Sequence, residues 1–421
     1  MLSLTTEIRR LRTNTLAHNA GWMLVGQGCS FLLQAGYFVL LARLLGVREY
    51  GVFAGAFAFV GIAMPYSTLG SGLLFVRYVG SQRNSFAVYW GNIILSTAGA
   101  GTVLSAVLYV VAPHLLNPAS AAIVLPVGIG NCIFGQMVAS MGFVFQTFER
   151  LRMTAALSIL TNGLRLVAVG IMTILLPHSS AQQWAMASLY VSLLAAVVGF
   201  VVVSKRFSWP QFVPGLVVAH AVEGLGFSLG WSAQSAYNDI DKTLLSHYGM
   251  NVQNGIYTMA YRIVDIANMP ITALDAAALP RYVRDSSNND FRSVTRLAVR
   301  LAIRASLVGL MMSVLLFLAA PLIPHVIGQE FAAGVQALRW LCLLPAMRGI
   351  HQLTGCALTG MGFQRYRTAA QLSAAGANLA LNLWLIPHYG WHGAAWASLA
   401  TDGSLAIATW LLLQRLSREH A

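Results

Sequence analysis

The chain has 421 residues, 57% of them hydrophobic and 9% charged, with a formal net charge of +13. A soluble domain carries about 25% charged residues, so lipid is the solvent for most of this chain, and its basic residues lie scattered in short connectors that form no face for nucleic acid. The unit of organisation is therefore the apolar helix of about 20 residues.

In chain order, Arg9, Arg10 and Arg12 precede the first apolar stretch, and Leu4, Ile8 and Leu11, spaced i, i+4 and i+7, predict a short helix in the headgroup region. The stretch at about 20–42 is too long for the core of a signal peptide and is followed by about eleven more, so it is expected to stay as the first membrane helix. The others fall at roughly 51–74, 87–112, 121–146, 153–177, 184–203, 223–246, 255–279, 298–324, 333–359, 368–387 and 393–414. The expected fold class is an all-α integral membrane protein with about 12 transmembrane helices. Segment seven is the least apolar, because it contains Asp239, Asp241 and Lys242. Cys29, Cys132, Cys342 and Cys356 fall in apolar stretches at no metal-binding spacing, which makes them buried small side chains, and no metal is expected.

The connectors set the orientation. With the N-terminus in the cytoplasm, inward connectors hold seventeen basic residues and outward connectors only Arg43 and Arg48. Positive charge stays on the cytoplasmic side of a membrane, so both termini are expected in the cytoplasm, with the chain crossing the inner (cytoplasmic) membrane. The outward connectors are about ten residues or fewer, too short for a catalytic domain.

The sequence also repeats. Gly51–Val79 aligns with Gly255–Val283 at a shift of 204: Gly51 with Gly255, Ala56 with Ala260, Ile62-Ala63 with Ile266-Ala267, and Arg77-Tyr78-Val79 with Arg281-Tyr282-Val283. Met64-Pro65 and Met269-Pro270 match one step out of register. The copies lie six helices apart, an even number, so the halves run parallel. This predicts two six-helix lobes, 1–206 and 207–421, around a central cavity, a transporter architecture with its substrate site between repeats.

The run from Leu41 to Phe53, with Arg43-Leu44-Leu45-Gly46 and Glu49-Tyr50-Gly51, resembles the first helix junction of the polysaccharide-biosynthesis (Wzx-like) flippases of the multidrug/oligosaccharidyl-lipid/polysaccharide (MOP) exporter superfamily. The second copy, Gly249–Tyr261 with Asn254-Gly255-Ile256-Tyr257, and the element Leu279-Pro280-Arg281 are similar to the start of that family's C-terminal half. Length, helix count and repeat fit over the whole chain. The resemblance implies alternating access and a polyprenyl-pyrophosphate-linked oligosaccharide as substrate. It also implies a polysaccharide polymerase and glycosyltransferases of the same pathway as partners.

Charges inside the apolar stretches then need a purpose. They are Arg165, Asp239, Asp241, Lys242, Arg262, Asp265, Asp275, Arg304, Arg339, Arg348 and Asp402. Each costs about 2.5–3.5 kcal/mol at the bilayer centre, so facing lipid the set would exceed a fold's net stability of about 5–15 kcal/mol. They must pair, reach the interface or line water. Polar stripes occur on four helices: Gln27, Ser30 and Gln34; Ser158, Asn162 and Arg165; Arg348, His351 and Gln352; Gln371, Asn378 and Asn382. The substrate-cavity candidates are therefore Gln27, Gln34, Asn162, Arg165, Arg304, Arg348, His351, Asn378 and Asn382, the alternative being hydrogen bonds that join helices. Arg296, Arg300 and Arg304 climb segment nine at i+4 steps, either to guide a pyrophosphate or to anchor at headgroups.

A carboxylate in a low-dielectric cavity exchanges protons near neutral pH, which makes Asp241 and Asp402 the ion-coupling candidates. Arg262 and Asp265, three apart, form an expected structural ion pair. Pro65 and Pro270 are repeat-related hinge candidates. The only lysines are Lys205 and Lys242, and neither stands in a phosphate-binding loop, so a P-loop ATPase is excluded and no cofactor is expected. The alternatives are a multidrug or organic-cation antiporter of the same superfamily and a membrane-embedded glycosyltransferase or polymerase. The buried arginines argue against the first and the short loops against the second.

Overall fold

The structure, a computed structural model, describes the backbone of residues 2–287 and 290–419, with the side chains among them except those of 2–25, 27, 227, 230, 231 and 287. Among the described residues every regular element is helical. The chain divides into two compact units: residues 1–44, 63–113 and 121–229 form the first, and 45–62, 114–120 and 230–421 the second.

The helices that supply the first unit are α1 (Leu2–Ala63, shared with the second), α2 (Ser71–Ser81), α3 (Phe86–Leu115), α4 (Pro118–Ala122), α5 (Val124–Gly128), α6 (Gln136–Thr147), α7 (Leu151–Leu175) and α8 (Ala181–Arg206). Its core gathers Phe75, Trp90, Ile93, Met141 and Phe145. The Trp90 indole donates to Ser204 at 3.1 Å, so the one polar atom of that side chain is satisfied within the apolar core. α8 starts with a capping box, in which the Ser180 hydroxyl and the Gln183 side chain exchange hydrogen bonds with each other's backbone N–H.

The second unit is built from α9 (Pro214–His247, whose start lies in the first), α10 (Asn251–Ala267), α11 (Met269–Ser287), α12 (Phe291–Ala319), α13 (Ile323–Val326), α14 (Gly334–Leu341), α15 (Leu344–Gly360), α16 (Gln364–Tyr389) and α17 (Trp391–Glu419). α12 packs on α15 through small residues, as membrane helices do when van der Waals contact must replace the hydrophobic effect. A Cβ at Gly309 would meet the Pro345 carbonyl at 2.6 Å, and one at Gly349 the Ala305 carbonyl carbon at 2.8 Å.

Among the described residues eight helices are long and apolar enough to cross a membrane, or nine if the bent pair α10–α11 counts as one span. The first of these, Gly28–Ser81, is 54 residues long and covers two predicted segments. It turns at Gly46, whose φ of 69° is left-handed and open to glycine at little cost. The Glu330 carboxylate accepts the Val47 N–H at 3.1 Å and so caps the helix that restarts there. Predicted segment seven lies on α9, interrupted by charge, and segment ten is divided between α14 and α15 by a turn at Cys342 and Leu343. Cys132, Cys342 and Cys356 are buried. Cys29 is exposed, contrary to expectation, because a membrane helix can leave part of its apolar surface to lipid.

The repeat has a structural counterpart. Each copy is a helix, a break and a second helix: α1 to Ala63, then a short 3-10 turn and α2; α10 to Ala267, then α11 after a bend of 46°. Pro65 and Pro270 stand in the first turn of the element after each break. There the missing N–H is not needed, so they start a helix where a hinge inside one was expected. Gly51 and Gly255, equivalent in the repeat, meet each other: a Cβ on either would strike the facing backbone. The Asn254 amide ties this contact by donating to the Gly51 carbonyl at 3.0 Å.

Candidate functional site

The second unit holds a buried charge network. Asp402 on α17 is 2% exposed and Arg348 on α15 is 5% exposed. All three guanidinium nitrogens of Arg348 are engaged: Nε with Asp402 at 3.4 Å, Nη1 with Asp265 at 2.9 Å and Nη2 with the Tyr261 hydroxyl at 2.5 Å. His351, one turn further along α15, places Nε2 3.1 Å from the other Asp402 oxygen. Spacings of three and four residues bring these groups together: Arg348 and His351 on α15, Tyr261 and Asp265 on α10.

A second cluster adjoins the first. Asp241 on α9 is fully buried and takes hydrogen bonds from Tyr257 at 2.5 Å and Ser398 at 3.2 Å. Lys242 donates to the Asn238 carbonyl and lies 3.3 Å from both Asp239 and Asp241. Tyr261 links the clusters. Its ring has Lys242 Nζ 3.9 Å from the centroid and the Arg348 guanidinium 5.1 Å away, and its hydroxyl donates to Asn238. Two cations against one aromatic ring use the negative potential of its faces.

The network contains four carboxylates, Asp239, Asp241, Asp265 and Asp402, and three permanent cations, Lys242, Arg262 and Arg348. The His351 imidazole adjoins them, with Nε2 3.1 Å from Asp402. Buried charge is tolerated only when paired, and each of these carboxylates has a cationic partner within 4 Å. Among the described residues no group of three His, Cys, Asp or Glu side chains could hold a metal ion.

The expected site residues separate into groups. Arg348, His351 and Asp402 come together, so the ion-coupling candidate Asp402 is paired with two residues expected to line the cavity. Arg262 lies 3.7 Å from Asp265, as an ion pair within α10, but Asp265 is shared with Arg348 at the shorter distance. Asn378 and Asn382 are fully buried. The Asn378 amide donates to Thr401 at 2.9 Å and the Asn382 amide back to Asn378, which joins α16 to α17. Asn162 donates to Ser30 at 2.6 Å and joins α7 to α1. Gln34 is exposed, Arg165 is half-buried and Arg304 is exposed. Neither arginine has an ion pair among the described residues. The side chain of Gln27 lies outside the described residues. Tyr257, Tyr261 and Ser398 are members that the polar stripes do not mark. The repeat held the signal, because Phe53, Phe57 and Gly61 stand where the second copy has Tyr257, Tyr261 and Asp265.

Comparison with known proteins adds three findings. The family described as "Polysaccharide biosynthesis protein" matches residues 16–286. The succinoglycan biosynthesis transport protein ExoT of Rhizobium meliloti (strain 1021) is 25% identical over 368 residues, 81% of this chain and 71% of that protein. Two solved structures share the fold at 14% identity. One is an inward-facing multidrug resistance MATE family transporter of the MOP superfamily, with a TM-score of 0.74 over 93% of this chain and 94% of that one. The other is the lipid II flippase MurJ in an inward closed conformation, with a TM-score of 0.72 over 93% of this chain and 87% of that one.

Proposed function

We infer the function from one premise: this chain belongs to the polysaccharide biosynthesis protein family, and it is a multi-pass membrane protein with the fold of the MOP-superfamily transporters. It translocates a polyprenyl-pyrophosphate-linked oligosaccharide across the inner membrane by alternating access, and it is a transporter, not an enzyme. The observation that carries this reading is the span of the family match, 16–286, which contains both copies of the helix-junction motif, at 41–53 and 249–261. Relatives of this fold include a drug exporter and a lipid flippase. The family match favours the second, with a glycan as the polar cargo.

We assign the buried network to energy coupling. Arg348 and His351, expected among the cavity residues, are bound to Asp402 and belong with it in this role. Asp241, held by Tyr257 and Ser398, is the second coupling carboxylate. Arg304 of the second unit, without an ion pair among the described residues, leaves positive charge for a pyrophosphate, and Arg165 of the first unit is a separate candidate, since arginine matches phosphate geometry.

A strain lacking the gene is expected to lose surface polysaccharide and to accumulate the lipid-linked precursor, with both restored by the gene in trans. Normal polysaccharide together with sensitivity to drugs would replace this reading by the antiporter.

A further inference from the structure

Beside the charge network, the second unit contains a small polar bay lined by Tyr237 of α9, His351 and Gln352 of α15, Arg367 and Gln371 of α16, and Thr409 of α17. Its free space is about 10 Å³, the room one water needs. The lining is polar and under-satisfied. Tyr237, His351 and Gln371 are 6%, 7% and 8% exposed. Gln352 Oε1 is buried without a hydrogen-bond partner among the described residues. These helices thus line one small, partly open space with polar groups. A buried polar group left without a partner costs about 1–3 kcal/mol, and a water with two to four such neighbours removes that cost.

We propose that this bay holds an exchangeable water that gives protons access to the His351–Asp402 pair from the Arg367 end of the unit. The inference rests on the coupling role assigned above. His351 is the junction: Nε2 faces Asp402, and Nδ1 has no hydrogen-bond partner among the described residues. A hydronium in the bay transfers its proton to Nδ1 and becomes water, and the imidazole becomes an imidazolium paired with the Asp402 carboxylate. Release runs the same step backwards. The charged and titratable groups around His351 are Asp402 on α17, Arg348 on its own helix, Tyr237 on α9, Arg367 on α16 and Asp275 on α11, with Tyr261 and Asp265 of α10 reached through Arg348. Once His351 is charged, Asp402 has two cationic partners. Arg348 then shifts towards Asp265, to which it is already closer, 2.9 Å against 3.4 Å. The proton is thereby converted into a change of partners between α15, α17 and α10. Arg367 opens the route at the other end. It stands in the first turn of α16, beside Arg365, on the connector that the charge rule assigns to the cytoplasm.

The test is radiolytic hydroxyl labelling of the full-length protein in phospholipid nanodiscs, with rapid mixing into ¹⁸O-water. Tyr237 and His351 should be labelled and should acquire ¹⁸O as fast as exposed residues, while Trp90, in the dry core of the first unit, stays unlabelled. Gln371→Leu should lower labelling of both by about fivefold. Wild-type protein with Tyr237 and His351 as silent as Trp90 overturns the proposal whatever the variants do. In cells, Gln371→Leu should reduce surface polysaccharide, more steeply as cytoplasmic pH rises, and Gln371→Asn should restore it. If Asp402→Asn abolishes export and Gln371→Leu exports like the wild type at every pH, the access route is wrong and the coupling role stands. If Asp402→Asn exports normally, the coupling role fails and the proton route falls with it, whether or not the bay proves wet.

Discussion

Tyr261 illustrates what a single side chain does here. Its ring lies against Lys242 and Arg348, and its hydroxyl accepts from one cluster and donates to the other. Tyr261→Phe keeps the ring and removes the hydroxyl, leaving Arg348 Nη2 and Asn238 Oδ1 without that partner. The expected result is a folded protein less stable by about 1–3 kcal/mol, checked by thermal unfolding in detergent, with reduced polysaccharide export. Asp402→Asn removes the carboxylate that Arg348 and His351 share, and the pH dependence of export should flatten with it; an unchanged profile would remove Asp402 from coupling. Arg348, His351 and Asp402 were legible in the sequence, because a charge in an apolar helix is conspicuous and its periodicity shows the shared face. Their partnership was not, because it joins helices over fifty residues apart. Tyr257 and Tyr261 were missed for another reason: hydropathy counts a tyrosine as apolar, and only the phenylalanines at the equivalent positions of the first copy mark the added hydroxyls.

At the scale of elements, the determining contact is between the two repeat-related helices. Gly51 and Gly255 let the backbones of α1 and α10 touch, and a methyl group on either overlaps a facing carbonyl. Gly51→Ala or Gly255→Ala should therefore exceed the cost of about 1–3 kcal/mol typical of an overpacked core. Gly80→Ala, at a helical site with open space around it, should be neutral or slightly stabilising. Melting temperatures of the three purified variants compare them directly. The repeat matches the two glycines to each other, but it gives no sign that equivalent positions would be in contact. The Ser180 capping box fixes where α8 starts, a few residues before the 184 at which hydropathy places the segment. The break at Asn268 occurs inside an apolar run, where hydropathy does not change, whereas the turn at Gly46 lies in the predicted connector that holds Arg43 and Arg48.

For the whole molecule, composition alone gave the class, since no other solvent accommodates 57% hydrophobic residues with 9% charged. The count was harder to read. A window of hydropathy separates two spans only if something polar stands between them: Arg43, Arg48 and Glu49 mark the turn within α1, but nothing charged marks the turn at Cys342 and Leu343 inside segment ten. Orientation depends on the connectors and makes a further prediction. In a Cys29→Ser background, His388→Cys, at the turn between α16 and α17, should react with an impermeant maleimide added outside the cell. Arg418→Cys should react only after permeabilisation. The opposite pattern would invert the topology.

The shared carboxylate at Asp402 also bears on how such a chain can change over generations. Breaking a buried ion pair on one side costs about 3–5 kcal/mol, whereas replacing both partners by apolar residues of similar volume is close to neutral. A strain weakened by Arg348→Met should therefore yield second-site suppressors at Asp402 or Asp265 that recover membrane insertion and protein abundance. Recovered abundance without recovered export would separate heredity acting on the fold from heredity acting on transport. Drift at this position is then expected to proceed by compensating pairs, with the unpaired intermediates selected against.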